Sequence, residues 1–380
     1  MEKKEKDIEE LRDELKDLDH RIADHFEQRM AIIAEMALAK KKTREPIYDR
    51  NREDEKLDDI TRNRSNPFVV KGLEEIFIQM MSIGRKYQYH LIQQRDRYIE
   101  NYFTEVADLV MFPDTRVVYP GVPGSYSEKA CIQFFGKETD HYGVKNFKDV
   151  ALALNDGEAD YGVLPIENSS AGDVTGVYDI LLENDVCIVG EEFVKVEHCL
   201  LAPKGSRLND IRVVFSHPQG MMQCAPFLEN LVVEQINVAN TAIAAEKVAS
   251  DNILTHAAVA SRDAAELYGL EILASDINFD HRNVTRFVIL SKKRQYTENA
   301  GKISICFSLL HESGTLYNIL SHFIYNGLNL THIESVPLPD RQWEYRFYVD
   351  ISGNLHDPEV RNALQGVREE VAQFRILGNY

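Results

Sequence analysis

What this chain of 380 residues has little of narrows its class first. It has five cysteines (Cys131, Cys187, Cys199, Cys224 and Cys306), an odd, scattered set without a CxxC pair. Such spacing speaks against a disulfide framework or a zinc site and reads as reduced thiols. No apolar run approaches the ~20 residues needed to span a bilayer. The start, MEKKEKDIEELRDELK, lacks the apolar core of a secretory signal. A soluble cytoplasmic protein with no membrane partner and no metal is the expectation. Positive charge is also scarce: 43 Lys and Arg against 61 Asp and Glu leave a formal charge of −18. Attraction to phosphate is the main sequence-independent source of nucleic-acid affinity, so this chain is a poor general binder of DNA or RNA. A local basic pocket can still hold a small anion. Neither a GxGxxG nor a P-loop GK[ST] is present, so no nucleotide cofactor is expected.

The composition that remains, 44% hydrophobic and 27% charged, is that of a folded protein. The length calls for two or three domains. Three textures follow one another. Up to about Phe103 the pattern is helical, with two prolines (Pro46 and Pro67) and two glycines (Gly72 and Gly84). From Thr115 to Lys292 short β-rich runs alternate with helical stretches and glycine turns. From Lys302 onward the order reads strand, helix, strand, strand, helix, strand. Residues 107–114, closed by Pro113, and the polar stretch 293–301 are the joins. The expected domains are 1–106, 115–292 and 301–380.

Leu11, Leu15, Leu18, Ile22, Phe26, Ile33 and Met36 share one stripe at three- and four-residue spacing, predicting a long helix that ends at Pro46. Two shorter helices, 48–64 and 68–103, leave much of that stripe uncovered, and a second copy of the chain is the economical cover. Arg29 and Lys40 sit in heptad register with this stripe, 11 residues or about three turns apart, and so share a face. Either alone reads as a snorkelling edge residue. Together they leave room for one compact anion between them. Asp49, Arg52 and Glu53 share a face of the second helix, where a plain ion pair is the simplest reading. Arg12 lies ~25 Å from Arg29 along a straight helix and could reach such a site only across an antiparallel dimer.

The segments LRDELKDLDHRIADHFEQRMAIIAEMALAKKK, EPIYDRNRE and IFIQMMSIGRKYQ resemble the all-helical chorismate mutase family. The resemblance implies an intertwined helical dimer with Arg12, Arg29, Lys40, Asp49, Arg52, Glu53 and Gln88 at the site. Gly84 stands where that family usually has serine. The implied reaction, chorismate to prephenate, is a concerted rearrangement that requires neither nucleophile nor proton shuttle. Arginines would clamp two carboxylates in the reactive diaxial geometry. Lys40 and Gln88 would donate to the ether oxygen as its bond breaks.

In the middle third, VVYPGVPGSYSEKA reads as strand, glycine turn and helix start, with Ser125 and Ser127 placed to receive an anion. ADYGVLPIENSSAGDV runs a strand into Glu167 and Asn168, and IRVVFSHPQGMMQ does the same into Ser216, His217 and Gln223. Ends of buried strands are favoured places for a site in an α/β sheet. His217, before a proline, reads as a turn residue and not as a general base. NVTRFVILSK opens a strand on Thr285 and Arg286. As an ordered set, GSYS, LPIENSSAG, EHCLLAP, SHPQ and NVTRF resemble prephenate dehydratase. This implies two α/β lobes with a cleft holding Ser125, Glu167, Asn168, Ser216, Gln223, Thr285 and Arg286. Prephenate would lose its ring hydroxyl and carbon dioxide, giving phenylpyruvate. Thr285 would orient or relay the proton that the leaving oxygen needs, and Arg286 would hold a carboxylate.

The last pattern is the split βαβ of a ferredoxin-like fold, and it resembles an ACT domain that binds amino acids between paired copies. The counterparts of the phenylalanine-binding motifs are Gly314-Thr315-Leu316 and Glu334-Ser335-Val336-Pro337, the second with Val336 in place of the usual arginine. The whole implies a multidomain chain: an all-α mutase bundle, a two-lobed α/β dehydratase, then an α+β ferredoxin-like ACT domain. The expected partners are chorismate, prephenate and phenylalanine, with a homodimer or higher homo-oligomer. Three other readings remain: a dehydratase whose helical part only dimerises, a binding module without activity, and arogenate as the preferred substrate.

Overall fold

The computed structural model describes residues 7–92, 97–309, 312, 314–338 and 344–380. The chain divides into two compact units, Met1–Asn101 with Gly301–Ile376, and Tyr102–Ala300 with Leu377–Tyr380. Among the described residues no helix is long and apolar enough to cross a membrane. All five cysteines are buried and unpaired with one another.

In the first unit, α1 (Ile8–Thr43) is uninterrupted because nothing in it breaks a helix. Glu9 and Glu10 in its first turn and Lys40, Lys41 and Lys42 in its last complement the helix dipole. Arg44 ends it in a left-handed conformation. α2 (Arg50–Thr61) is capped by Asp49, whose carboxylate accepts the Arg52 N–H at 3.2 Å. α3 (Pro67–Ile92) opens on a proline, whose missing N–H costs nothing in a first turn. The helix expected over 68–103 is described as α3 and a short helix Arg97–Tyr102; residues 93–96 between them lie outside the described set.

The C-terminal half of α1 packs on α3 through Ile33, Ala37, Tyr89 and Ile92, with Ile47 from the connection. Gly84 permits the close approach, since a Cβ there would lie 2.7 Å from the Ile33 Cδ1. The N-terminal half of α1 has no such cover: Leu11, Leu15, Leu18 and Ile22 are each about half exposed. The same unit contains strands Lys302–Ser308, Leu330–Pro337 and Tyr345–Ser352, helices Thr315–Tyr325 and Pro358–Glu370, and the start of strand Gln373–Asn379. Strand Tyr345–Ser352 lies antiparallel between the other two complete strands. Ile303, Ile305, Phe323, Val349, Val360 and Leu364 form the buried apolar layer of this segment.

Two larger sheets build the second unit among the described residues. One contains strands Arg116–Pro120, Asp140–Val144, Tyr161–Asn168, Cys187–Lys195 and Val284–Ser291, the last antiparallel to both of its neighbours. The other has five strands in the order Glu271–Ala274, Cys199–Ala202, His256–Ala260, Val213–Ser216, Glu234–Asn237. Each has its own apolar core. The chain crosses between the lobes twice, and the crossings are bonded together: Val196 N donates to Asn283 O, and Ile277 N to His198 O. The stretch 293–301, expected as a bare join, contains strand Gln295–Thr297, paired in parallel with Thr104–Val106.

Candidate active sites

Between the two lobes lies a cavity of about 440 Å³, lined among others by Ser125, Asn168, Gln223 and Thr285. Strand register explains why Asn168 and Thr285 meet. They are cross-strand partners, so their side chains stand on one face, and the Asn168 Nδ2 lies 2.8 Å from the Thr285 Oγ1. The Asn168 Oδ1 accepts the backbone N–H groups of Ser170 and Ala171, both at 3.1 Å, which fixes the orientation of the amide. Its NH2 therefore donates to Asn283 Oδ1 and to Thr285 Oγ1. With its oxygen already accepting, the threonine hydroxyl has its own hydrogen to give to whatever occupies the cleft.

Glu167 and Arg286 are the neighbouring cross-strand pair and stand on the opposite face. Arg286 is buried. Its guanidinium donates to Glu191 at 2.8 Å, to Glu167 at 3.5 Å and to the Tyr380 hydroxyl at 2.7 Å. Both expected substrate contacts are thus placed away from the cleft lining, because alternation along a strand cannot aim Thr285 and Arg286 the same way. Ser216 also lies beneath the cleft: fully buried, its hydroxyl donates to Val259 O, and helix Pro218–Gln223 presses on it at Gly220. His217 caps that helix by accepting the Gln219 N–H, and burial lowers its pKa.

Other lining residues escaped the sequence reading. His198 is 2% exposed and sits 3.0 Å through Nε2 from the Gln223 Oε1; burial lowers its pKa, so it is neutral near pH 7. Two helices begin at the cleft, Tyr126–Phe135 capped by Ser125 and Thr241–Asp251 capped by Asn240. Their N-termini present partial positive charge to it. Lys145 lines the rim and is exposed. The N-cap signal in Asn240-Thr241 was readable; the meeting of Lys145 with these residues was not.

In the helical part, Arg29 is half buried and donates to Met80 O at 2.9 Å. Burial lowers its pKa, and the charge of Glu53 partly opposes that. Lys40 donates to Pro46 O and Ile47 O at 2.8 and 2.9 Å; burial and the charge of Arg52 lower its pKa. Lys40 also lines a cavity of about 620 Å³ with Lys41, Arg44, Glu45 and Glu369, a lining that does not include Arg29. Gln88 is buried and donates to Gly84 O, while its Oε1 lacks a partner among the described residues. Arg52 is exposed and pairs with Asp49, the simple ion pair that spacing suggests. Glu53 instead turns to Arg85. Arg12 is exposed beside Glu9. Gly314, in a left-handed conformation, caps helix Thr315–Tyr325, which begins with Thr315 and Leu316. Glu334, Ser335 and Val336 lie on strand Leu330–Pro337.

Two family profiles match the chain, chorismate mutase type II at residues 11–89 and prephenate dehydratase at residues 117–295. A bifunctional chorismate mutase/prephenate dehydratase of Aquifex aeolicus is 30% identical over 380 residues, covering 98% of each chain. The chain belongs to the bifunctional chorismate mutase/prephenate dehydratase family. Membership brings both reactions, chorismate to prephenate and prephenate to phenylpyruvate, in one chain. An arogenate dehydratase/prephenate dehydratase of Arabidopsis thaliana is 41% identical over 289 residues, covering 70% of this chain and 68% of that one. The crystal structure of a prephenate dehydratase from Arthrobacter aurescens, in complex with L-Phe, matches with a TM-score of 0.65 and 28% identity, covering 70% of this chain and 90% of that one.

Proposed function

We propose that the cleft between the two α/β lobes is the dehydratase site, with Thr285 as the donor to the leaving ring hydroxyl. The observation that carries this is the fixed amide of Asn168, which leaves the Thr285 hydrogen for the cleft. A threonine hydroxyl is a weak acid, so it stabilises and relays charge on the departing oxygen. The substrate's carboxylates then meet the two helix N-termini and Lys145, while Arg286 and Glu167 brace the strands behind Thr285. Gln223, oriented by His198, completes the wall.

The mutase site is read onto Arg29, Lys40, Glu53 and Gln88, with Asp49 and Arg52 beside them. The half-buried cations and the open Gln88 Oε1 support it. The half-exposed apolar residues of α1 support a homodimer in which Arg12 serves the partner's site. The chain is best divided into three modules, 1–106, 115–292 and 301–380. Element order and the antiparallel pairing of strands support a ferredoxin-like ACT fold for the last. Its effector is phenylalanine, bound through Gly314, Thr315, Leu316, Glu334 and Ser335.

A continuous assay from chorismate to phenylpyruvate, with and without phenylalanine, tests the scheme. Turnover without added prephenate and inhibition by phenylalanine are expected. Turnover that phenylalanine leaves untouched would remove the effector reading. The name of the Arabidopsis relative favours a second substrate, arogenate, for the same cleft. Comparing kcat/KM for prephenate and arogenate decides between them.

A further inference from the structure

The buried charges on the last turns of α3 are used by neither reaction as read above. Arg85 is 6% exposed, and two of its guanidinium nitrogens bond acidic partners. Its Nη1 donates to both carboxylate oxygens of Glu53 at 2.5 Å, its Nε to Glu370 Oε1 at 2.7 Å, and the group stacks 4.9 Å over the Tyr48 ring. Glu370 ends helix Pro358–Glu370 and accepts in addition from His322 Nε2 at 3.0 Å. One turn on, the Tyr89 hydroxyl donates to Glu369 at 2.7 Å, and next to Arg85 the Lys86 ammonium donates to Ser82 and Ser321 at 2.7 and 2.6 Å.

We propose that Arg85 is a positioning residue for the mutase reaction: it fixes the carboxylate of Glu53, and Glu370 of the C-terminal segment fixes Arg85. The inference rests on the reading of Glu53 as a mutase-site carboxylate. Arg85 is too deeply buried to serve substrate itself. Glu53 keeps a side-chain exposure of 24%, enough to leave acceptor positions open. Its helix needs such a clamp, because α2 has no buried residue and so little apolar packing to set its rotation. With Nη1 bonded to both oxygens of Glu53 and Nε to Glu370, these charge-assisted bonds restrict the Glu53 carboxylate to a narrow range of positions. The charge of Glu53 in turn bears on Arg29, so a Glu53 released from Arg85 would alter two site residues at once. The C-terminal segment thereby completes the mutase site from behind.

The test is a double-mutant cycle on the full chain, measuring chorismate consumption by Glu53→Gln, Arg85→Gln and the double variant. Dehydratase turnover from prephenate and thermal unfolding of the same preparations report folding. Each single change is expected to lower mutase kcat/KM by about 10- to 100-fold, mainly in kcat. The double variant should fall no further than the worse single, because Arg85 acts through Glu53. Arg85→Lys, which retains the charge but lacks two separate nitrogens to bond Glu53 and Glu370, should recover part of the loss. Glu370→Gln should lower mutase turnover by about 3- to 10-fold. Losses that multiply in the double variant, or native mutase turnover in Arg85→Gln, overturn the proposal. Unchanged mutase turnover in Glu53→Gln sinks the reading beneath it, a distinct result. If Arg85→Gln does not fold, the cycle runs with Arg85→Lys and Glu370→Gln against Glu53→Gln.

Discussion

At the scale of single residues, proton positions decide the chemistry. Asn168 donates to Thr285 because its oxygen is occupied by two backbone N–H groups. Asn168→Asp replaces that donor by an acceptor, which turns the Thr285 hydrogen back into the strand and away from substrate. Dehydratase kcat should fall by about 100-fold or more, with mutase turnover unchanged, in parallel assays of one preparation. Buried ionisable groups set the pH response. Burial works to raise the Glu370 pKa, but the His322 hydrogen bond and the charge of Arg85 outweigh it and hold the carboxyl at about 2 against an ordinary 4.5. A lowered carboxyl pKa contributes stability that is fully present above about pH 4.5 and is lost as pH falls toward 2. The amount is roughly 3 kcal/mol at 1.36 kcal/mol per pKa unit. Glu370→Gln should therefore flatten the decline of Tm between pH 5 and pH 3; an unaltered decline would show that Glu370 is not the linked group. Lys86 behaves oppositely to a paired lysine. Desolvation lowers its pKa to about 8, so its burial costs stability below pH 8 and the cost fades as pH rises toward 10.5.

At the scale of elements, one strand shows what sequence could and could not reveal. Val284–Ser291 was legible as a strand, and Thr285 at its start lines the cleft. Alternation alone separates Thr285 from Arg286, so the opposite placement of Arg286 was also readable. The break in register between Arg286 and Phe287 was not: Phe287 pairs with Pro165, skipping Ile166. This bulge puts Pro165 and Asn168 on the cleft side although they are three residues apart. For α1, the long apolar stripe was legible, whereas only the fold shows which half is covered. Ile33 and Ala37 pack on α3, and Leu15 and Leu18 do not. Leu15→Glu with Leu18→Lys should thus leave the chain folded while breaking self-association and mutase turnover. Sedimentation and chorismate consumption check this; an unchanged dimer would refute the assignment of that stripe to a second copy.

At the scale of the molecule, three textures along the chain were evident from glycine, proline and apolar spacing. What no local pattern contains is that the helical N-terminal segment and the C-terminal segment gather into one compact unit. Among the contacts that join them are single polar pairs, Arg85 to Glu370 and Lys86 to Ser321, more than 200 positions apart. Periodicity does not register such pairs. The cleft between the lobes, by contrast, draws its residues from strand ends and helix starts, which are the features a sequence advertises best. The central claim is that two chemistries run on two separate sets of side chains. Steady-state turnover of chorismate and of prephenate, measured on Lys40→Ala and Thr285→Val, tests it most directly. Lys40→Ala should lose mutase turnover by about 100-fold or more and keep the dehydratase, and Thr285→Val should do the reverse. Loss of both activities in either folded variant, or of neither, would contradict the account.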